Sequence, residues 1–187
     1  MKRRNLLQWG AGSLITGLCG LRSALATPPP TDAATLAQLR SNWQALRAAG
    51  TAVVEARPAL KRGHDEWRAQ LPADAYGVLF EEHTERPFSN TLNDEKRDGL
   101  FVCRACSLPL FSSAMKYDSG TGWPSFFTSI EGHLASKRDF KLLWPRTEYH
   151  CVKCGGHQGH VFDDGPGPSG QRWCNNGVAL RFVALLS

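Results

Sequence analysis

Hydrophobic and polar positions follow two different rhythms along the chain. In the amino-terminal part apolar residues recur at three- and four-residue intervals. Leu36, Leu39, Trp43 and Leu46 form one stripe, which predicts a helix capped by Thr31 and Asp32 and closed by Gly50. DEWRAQL (65–71) and PADAYGVLF (72–80) predict two further short helices, the second started by Pro72. From Leu100 onward the helical period disappears. Short β-like segments punctuated by Gly, Pro and Asp replace it: GLFVC, PLFSS, DFKLL, TEYHC, GHVF and VALRFVAL. In the last run Val178, Leu180 and Phe182 alternate with Ala179 and Arg181, as in a half-buried strand. The carboxyl-terminal half is therefore expected to be mostly antiparallel β. Without strand–helix alternation or a phosphate-cradling glycine motif, a doubly wound nucleotide-binding fold is disfavoured.

The length of 187 residues, with 42% hydrophobic content, is ample for one packed domain. The formal charge of +5 would suggest an anionic partner, but Lys2, Arg3, Arg4 and Arg22 supply all but one of those charges. Nucleic-acid binding thereby loses its electrostatic case. Those cations belong to a leader, residues 1–26, with a charged start, a short apolar segment and a small-residue end, Ala24-Leu25-Ala26. Arg3-Arg4 gives it the character of a twin-arginine signal, which predicts export and a periplasmic location. A membrane anchor is the competing reading, opposed by Gly17, Gly20 and Arg22, which interrupt a run shorter than the roughly 20 apolar residues of a span. Residues 27–63 follow as a Pro-rich linker (Pro28–Pro30) and helical extension, and residues 64–187 as the main domain.

Of six cysteines, Cys19 lies in the leader and five remain. Cys103-x-x-Cys106 and Cys151-x-x-Cys154 are two knuckles that suit a tetrahedral thiolate zinc site, while an exported chain also admits two disulfides. Both readings stand on spacing alone. Four thiolates would leave no open position for catalysis by the metal. The fifth thiol, Cys174, lies close in sequence to His157, His160, Arg172 and Asn176, the makeup of an activated nucleophile. In GTGWPSFF (120–127), Trp123 and its neighbouring Phe residues either cap the core or wall a site for a methyl or thioether group. His64 and His83 carry no assigned role.

KYDSGTGWPSFF (116–127), RTEYHCVKCGGHQGHVFDDGP (146–166) and QRWCNNGVALRF (171–182), with TERPFS (84–89) upstream, resemble methionine sulfoxide reductase B. The resemblance spans about residues 65–182. It implies a mainly β fold of two twisted antiparallel sheets stapled by one structural zinc on Cys103, Cys106, Cys151 and Cys154, preceded by helices. It implies thiol-dependent reduction of methionine-R-sulfoxide in proteins by Cys174, which is left as a sulfenic acid. Trp123 and Phe126 would then meet the substrate, while His157, His160, Asp164, Arg172 and Asn176 would orient the sulfoxide and its proton donor, with His160 and Asp164 as the donor pair. Trp173, Asn175, Gly177 and Gln158 depart from the family's usual Tyr, Ile, Ser and Leu. Thr121 stands where many relatives carry a resolving cysteine, which implies a one-cysteine enzyme, expected as a monomer, served by a small thiol or thioredoxin-like reductant.

Overall fold

The computed structural model describes residues 32–46, 56, 58–141 and 144–185. The leader, the triple-proline spacer, Thr31 and Gly50 lie outside them. Helix α1 (Ala33–Ser41) begins where the Asp32 carboxylate accepts the Thr35 amide at 2.8 Å, and it tightens into a 3-10 turn, Asn42–Leu46. Helix α2 (His64–Gln70) carries Asp65 and Glu66 in its first turn, and α3 (Ala73–Glu81) follows Pro72. Trp67 and Phe80 stack at 5.4 Å and tie the two helices together, while Ala75, Tyr76, Val78 and Leu79 of α3 are buried. No described helix is long and apolar enough to cross a membrane.

The strands are β1 (Gly99–Cys103), β2 (Pro109–Ser112), β3 (Lys116–Tyr117), β4 (Ser125–Phe126), β5 (Leu134–Asp139), β6 (Arg146–Cys151), β7 (His157–Phe162), β8 (Arg172–Asn175) and β9 (Leu180–Ala184). They form two antiparallel sheets, β2-β1-β9 and β3-β4-β8-β7-β6-β5, the mainly β architecture expected. Two strand expectations need correction, and β8 was not among the expected runs. Of DFKLL only Asp139 is in a strand among the described residues: β5 ends there, and the Asp139 carboxylate accepts the Lys141 amide at 2.9 Å and turns the chain, while residues 142 and 143 lie outside the described residues. Val178 precedes β9, in a 3-10 turn whose Val178 amide is held by the Glu85 carboxylate at 2.9 Å. Strand β8 has no apolar alternation and forms because β4 and β7 pair with it on both sides.

Aromatic rings fill the space between the sheets. Phe126 lies flat on Phe111 with centroids 4.0 Å apart and meets Phe101 edge-on at 5.0 Å; Tyr149 and Trp173 close the stack at 4.9 Å. Phe126 is fully buried and does not line the cleft described below. Its expected substrate contact is therefore corrected: Ser125 and Phe126 alternate across β4, so when Ser125 shares the face of Cys174, Phe126 must enter the core. Phe126→Ala is expected to lower unfolding free energy by about 3–5 kcal/mol, measured by urea titration, because the surrounding rings cannot collapse into the cavity.

Candidate active site and metal centre

Cross-strand register places the chemistry in one row. Tyr117, Ser125, Cys174, His160, Glu148 and Lys137 are successive partners across the six-stranded sheet, so their side chains share one face. The approach of β7 to β8 needs glycine at position 159: a Cβ there would lie 1.9 Å from the Cys174 carbonyl oxygen. Cys174 opens into a cleft of about 210 Å³, with Trp123, His160, Phe162 and Arg172 among its walls and Thr84, Thr121, Arg146 and Asn176 around them.

A second layer holds these walls. The Trp123 indole N–H donates to the Glu85 carbonyl oxygen at 3.2 Å, and the Phe88 amide donates to the Gly122 carbonyl at 2.7 Å. The Glu85 carboxylate in turn accepts the amides of Gly177 and Val178, at 2.5 and 2.9 Å. Asn176 Oδ1 accepts the Glu85 amide at 3.1 Å, and its Nδ2 donates to the Gln158 carbonyl at 3.0 Å. TERPFS thus joins the Trp123 loop to the segment that follows the thiol. Asn176 serves that junction.

The sequence-predicted residues divide accordingly. Cys174, His160, Arg172, Asn176 and Trp123 meet at the cleft. His157 is buried behind it, its ring 5.4 Å from that of His160 and its Nδ1 2.8 Å from Glu148. Asp164 is bonded to Arg172 at 2.8 and 2.9 Å, not to His160 as expected. His160 Nε2 instead lies 2.8 Å from Asp139 Oδ2, which also takes the Arg146 guanidinium at 2.6 Å. Asp139 and Arg146 carried no assignment from the sequence, where Asp139 read only as the start of the β-like segment DFKLL. Asp139 stands 21 residues from His160, and only the β5–β6–β7 hairpins bring them together.

Burial pushes the Cys174 thiol above its ordinary pKa, while the Arg172 charge and hydrogen bonding from Arg172 and Thr121 pull it down without overcoming burial. Arg172 is already engaged by Asp164, whose carboxyl it holds below the usual range. Burial also depresses His157 and His160, against the opposing pull of Glu148 and Asp139 respectively. Asp139 itself is held low, first by the Lys141 amide and then by His160 and Arg146. Thiol and imidazole therefore rest uncharged together.

At the far end of the sheets the four sulfurs of Cys103, Cys106, Cys151 and Cys154 lie within 4.8 Å of one another, with Cys103–Cys154 at 3.6 Å and Cys106–Cys151 at 3.5 Å. A tetrahedral thiolate site with metal–sulfur bonds of about 2.3 Å sets sulfurs about 3.8 Å apart, whereas a disulfide needs about 2.05 Å. The cysteines are free thiols, and their donor set and spacing fit a soft metal ion such as zinc. Gln158 Nε2 donates toward Cys103 Sγ at 3.5 Å. Each knuckle turns through a left-handed residue just after its second cysteine, Ser107 at φ 60° and Gly155 at φ 75°.

A lone thiol with an imidazole opposite it, in a cleft walled by an indole, is the layout of a cysteine-dependent enzyme. The SelR domain family matches residues 71–184. Proteins named peptide methionine sulfoxide reductase MsrB are similar to this chain: that of Alteromonas mediterranea is 46% identical, covering 63% of this chain and 83% of its own. Those of Hahella chejuensis and Pseudomonas entomophila are 47% and 50% identical, covering 66% and 62% of this chain and 89% of each relative. Among solved structures, the Mis18 "Yippee-like" domain aligns over 49% of this chain and 100% of its own at 17% identity and a TM-score of 0.39, too slight a likeness to bear on function. The chain belongs to the SelR-domain family, that of methionine sulfoxide reductase B.

If Asp139 positions His160, Asp139→Asn should lower kcat roughly 10- to 100-fold with KM nearly unchanged and displace the acid limb of the pH–rate profile. A loss of stability with an unmoved profile would leave Asp139 a purely structural residue. Stability has its own pH dependence. Because the folded chain holds His157 and His160 below their unfolded pKa of about 6.5, the unfolded chain binds protons first as pH falls below that value. Unfolding free energy should therefore decline from pH 7 to pH 5, and His157→Gln should flatten that slope in urea titrations.

Proposed function

We propose that this chain reduces methionine-R-sulfoxide within polypeptides to methionine, using Cys174 as nucleophile. The observation that carries the reading is Cys174 paired with His160 across β7 and β8 in a cleft walled by Trp123, in a chain that belongs to this family. The epimer preference rests on the family. The indole face suits the substrate's methyl and thioether groups, and the Trp123 N–H bond to Glu85 keeps the ring in place.

The reaction balances within the site. Cys174 loses its thiol proton to His160, the sulfur attacks the sulfoxide sulfur, and the proton passes to the sulfoxide oxygen as the sulfur–oxygen bond breaks. The oxygen moves to Cys174. Methionine leaves, and the cysteine has become a sulfenic acid, oxidised by the two electrons the sulfoxide gained. A neutral thiol beside a neutral imidazole is the starting state this shuttle requires, and Arg172 stabilises the thiolate while it exists. An external thiol then attacks the sulfenic acid, giving a mixed disulfide and water, and a second thiol releases Cys174. Among the described residues the other four thiols belong to the sulfur cluster, and Thr121 at the cleft offers none, so the reductant comes from outside the chain. A thioredoxin-like protein or small thiol fills that role. Zinc on the four cysteines would supply cross-linking of the two sheets and take no part in turnover. We also place the protein in the periplasm, exported through its twin-arginine leader as a monomer that repairs oxidised proteins.

Assay of the purified protein on separated sulfoxide epimers in a peptide, with dithiothreitol, should show turnover of the R form alone. Turnover of neither would refute the activity. Cys174→Ser should abolish turnover while the far-UV circular dichroism and metal content persist. With substrate and no reductant, one methionine per chain and a dimedone-reactive species about 16 Da heavier should appear. A species two hydrogens lighter, with Cys174 bridged to Cys103 or Cys151, would instead assign a knuckle the resolving role.

A further inference from the structure

The family match begins at residue 71, yet the chain ahead of it packs against the Cys151–Cys154 turn from two directions. The two residues enclosed by Cys151 and Cys154 are both tied down. Lys153 is bound directly: the Leu60 amide donates to its carbonyl oxygen at 2.7 Å, and its Nζ donates to the Pro58 carbonyl at 3.2 Å. Val152 is bound through an intermediate, donating its amide to the His133 carbonyl at 3.2 Å. His133 in turn holds the Pro109 carbonyl, just past the first knuckle, at 2.6 Å from its Nδ1. The ring of His133 is backed edge-on by Trp43 at 5.2 Å, and Trp43 is only 4% exposed although it precedes the family domain. The Glu131 amide donating to the Arg40 carbonyl at 3.2 Å fixes the same junction.

Cys154 is the most exposed of the four knuckle cysteines, the other three being buried. It opens on a polar cavity of about 280 Å³. The inner wall of that cavity is the sheet, through Lys137, Glu148 and His157; the outer wall is Arg62, His64 and Trp67, again ahead of the family match. Arg62 lies over the Trp67 ring at 4.9 Å and donates to Gln70 at 2.7 Å. A Cys-x-x-Cys turn can give up a metal or expose a thiolate only by local opening, and the cost of opening is set by what binds the residues inside the turn.

We propose that the segments around Trp43 and Pro58–Trp67 clamp the Cys151–Cys154 turn, slowing loss of its metal and access of reagents to Cys154. Such a clamp is useful to a thiolate cluster held in an oxidising compartment. The metal arm of the inference rests on the zinc reading; the thiol arm does not.

The test uses the full chain and three variants, Leu60→Pro, Trp43→Ala and Arg62→Ala, with the exposed Lys96→Ala as a surface control. Metal content is measured first, then metal release into excess chromophoric chelator, then iodoacetamide modification of Cys154 read by peptide mass spectrometry. Leu60→Pro and Trp43→Ala should release metal about tenfold faster or more, the order expected when opening no longer breaks a hydrogen bond or buried packing. Arg62→Ala should speed modification of Cys154 by a comparable factor, while Lys96→Ala keeps the wild-type rates. Wild-type rates in folded Leu60→Pro and Arg62→Ala would overturn the clamp. Should Leu60→Pro or Trp43→Ala fail to fold, Arg62→Ala, whose side chain sits at the outer wall, decides alone. A wild-type chain without metal would sink the zinc reading, and Cys154 modification rates would still judge the clamp.

Discussion

The closure of two Cys-x-x-Cys turns on each other is the constraint from which the rest of the architecture follows. Cys103 ends a strand of the three-stranded sheet and Cys151 ends a strand of the six-stranded sheet, so bringing four sulfurs within 4.8 Å fixes the two sheets in one relation. Strand β7 starts at His157, two glycines beyond Cys154, and the knuckle therefore sets where β7 begins and which residue faces which across it. Three residues on, His160 stands opposite Cys174. Gly156 makes that start possible: a Cβ there would lie 2.8 Å from the Leu79 side chain, so α3 packs against the turn itself. The packing of the two knuckles at one end of the sheets thus sets the register that brings His160 opposite Cys174.

The electrostatics of the cleft solve a problem that proximity alone does not. A thiolate permanently exposed beside an oxidant would be consumed by it. Here burial keeps the Cys174 thiol protonated and His160 neutral, and Arg172 has its charge shared with Asp164. The Asp139 carboxylate holds the His160 ring by its Nε2 edge at 2.8 Å. The Lys141 amide, then His160 and Arg146, hold the Asp139 carboxyl well below its usual range, so an anion stands beside the imidazole.

Much of the fold was legible because its signals are local. Asp32, Pro72 and the three- and four-residue stripes mark helices through backbone satisfaction and a single buried face, and the runs at β1 and β2 are apolar over strand length. The two knuckles were legible as a pair, although only their sulfur spacing separates metal from disulfide. What escaped depends on pairing. The residues of β8 are polar and aromatic in no alternation, and they become a strand because neighbours on both sides offer hydrogen bonds. Asp139 was hidden by the apolar residues after it, of which Phe140 is 72% exposed and so never belonged to a core strand. Phe126 shows the reverse error: adjacency to Trp123 suggested a shared role, but alternation along β4 sends it to the opposite face.

The family departures near the nucleophile have partners that explain them. Asn175, in place of an expected Ile, is wholly buried because its Oδ1 accepts the Tyr149 hydroxyl at 2.8 Å and its Nδ2 donates to the Asn176 carbonyl at 2.8 Å. Gly177, in place of Ser, is required by Asn90, whose Cγ would lie 2.4 Å from any Cβ there. Gln158, in place of Leu, directs its amide toward Cys103 and the Gly156 carbonyl, strengthening the link from β7 to the sulfur cluster. Trp173 shares its face with the aromatic core, away from Cys174. Asn175, Gly177 and Trp173 thus each fit a partner in the scaffold behind the cleft, while Gln158 is held by its amide nitrogen alone, its buried Oε1 having no hydrogen-bond partner.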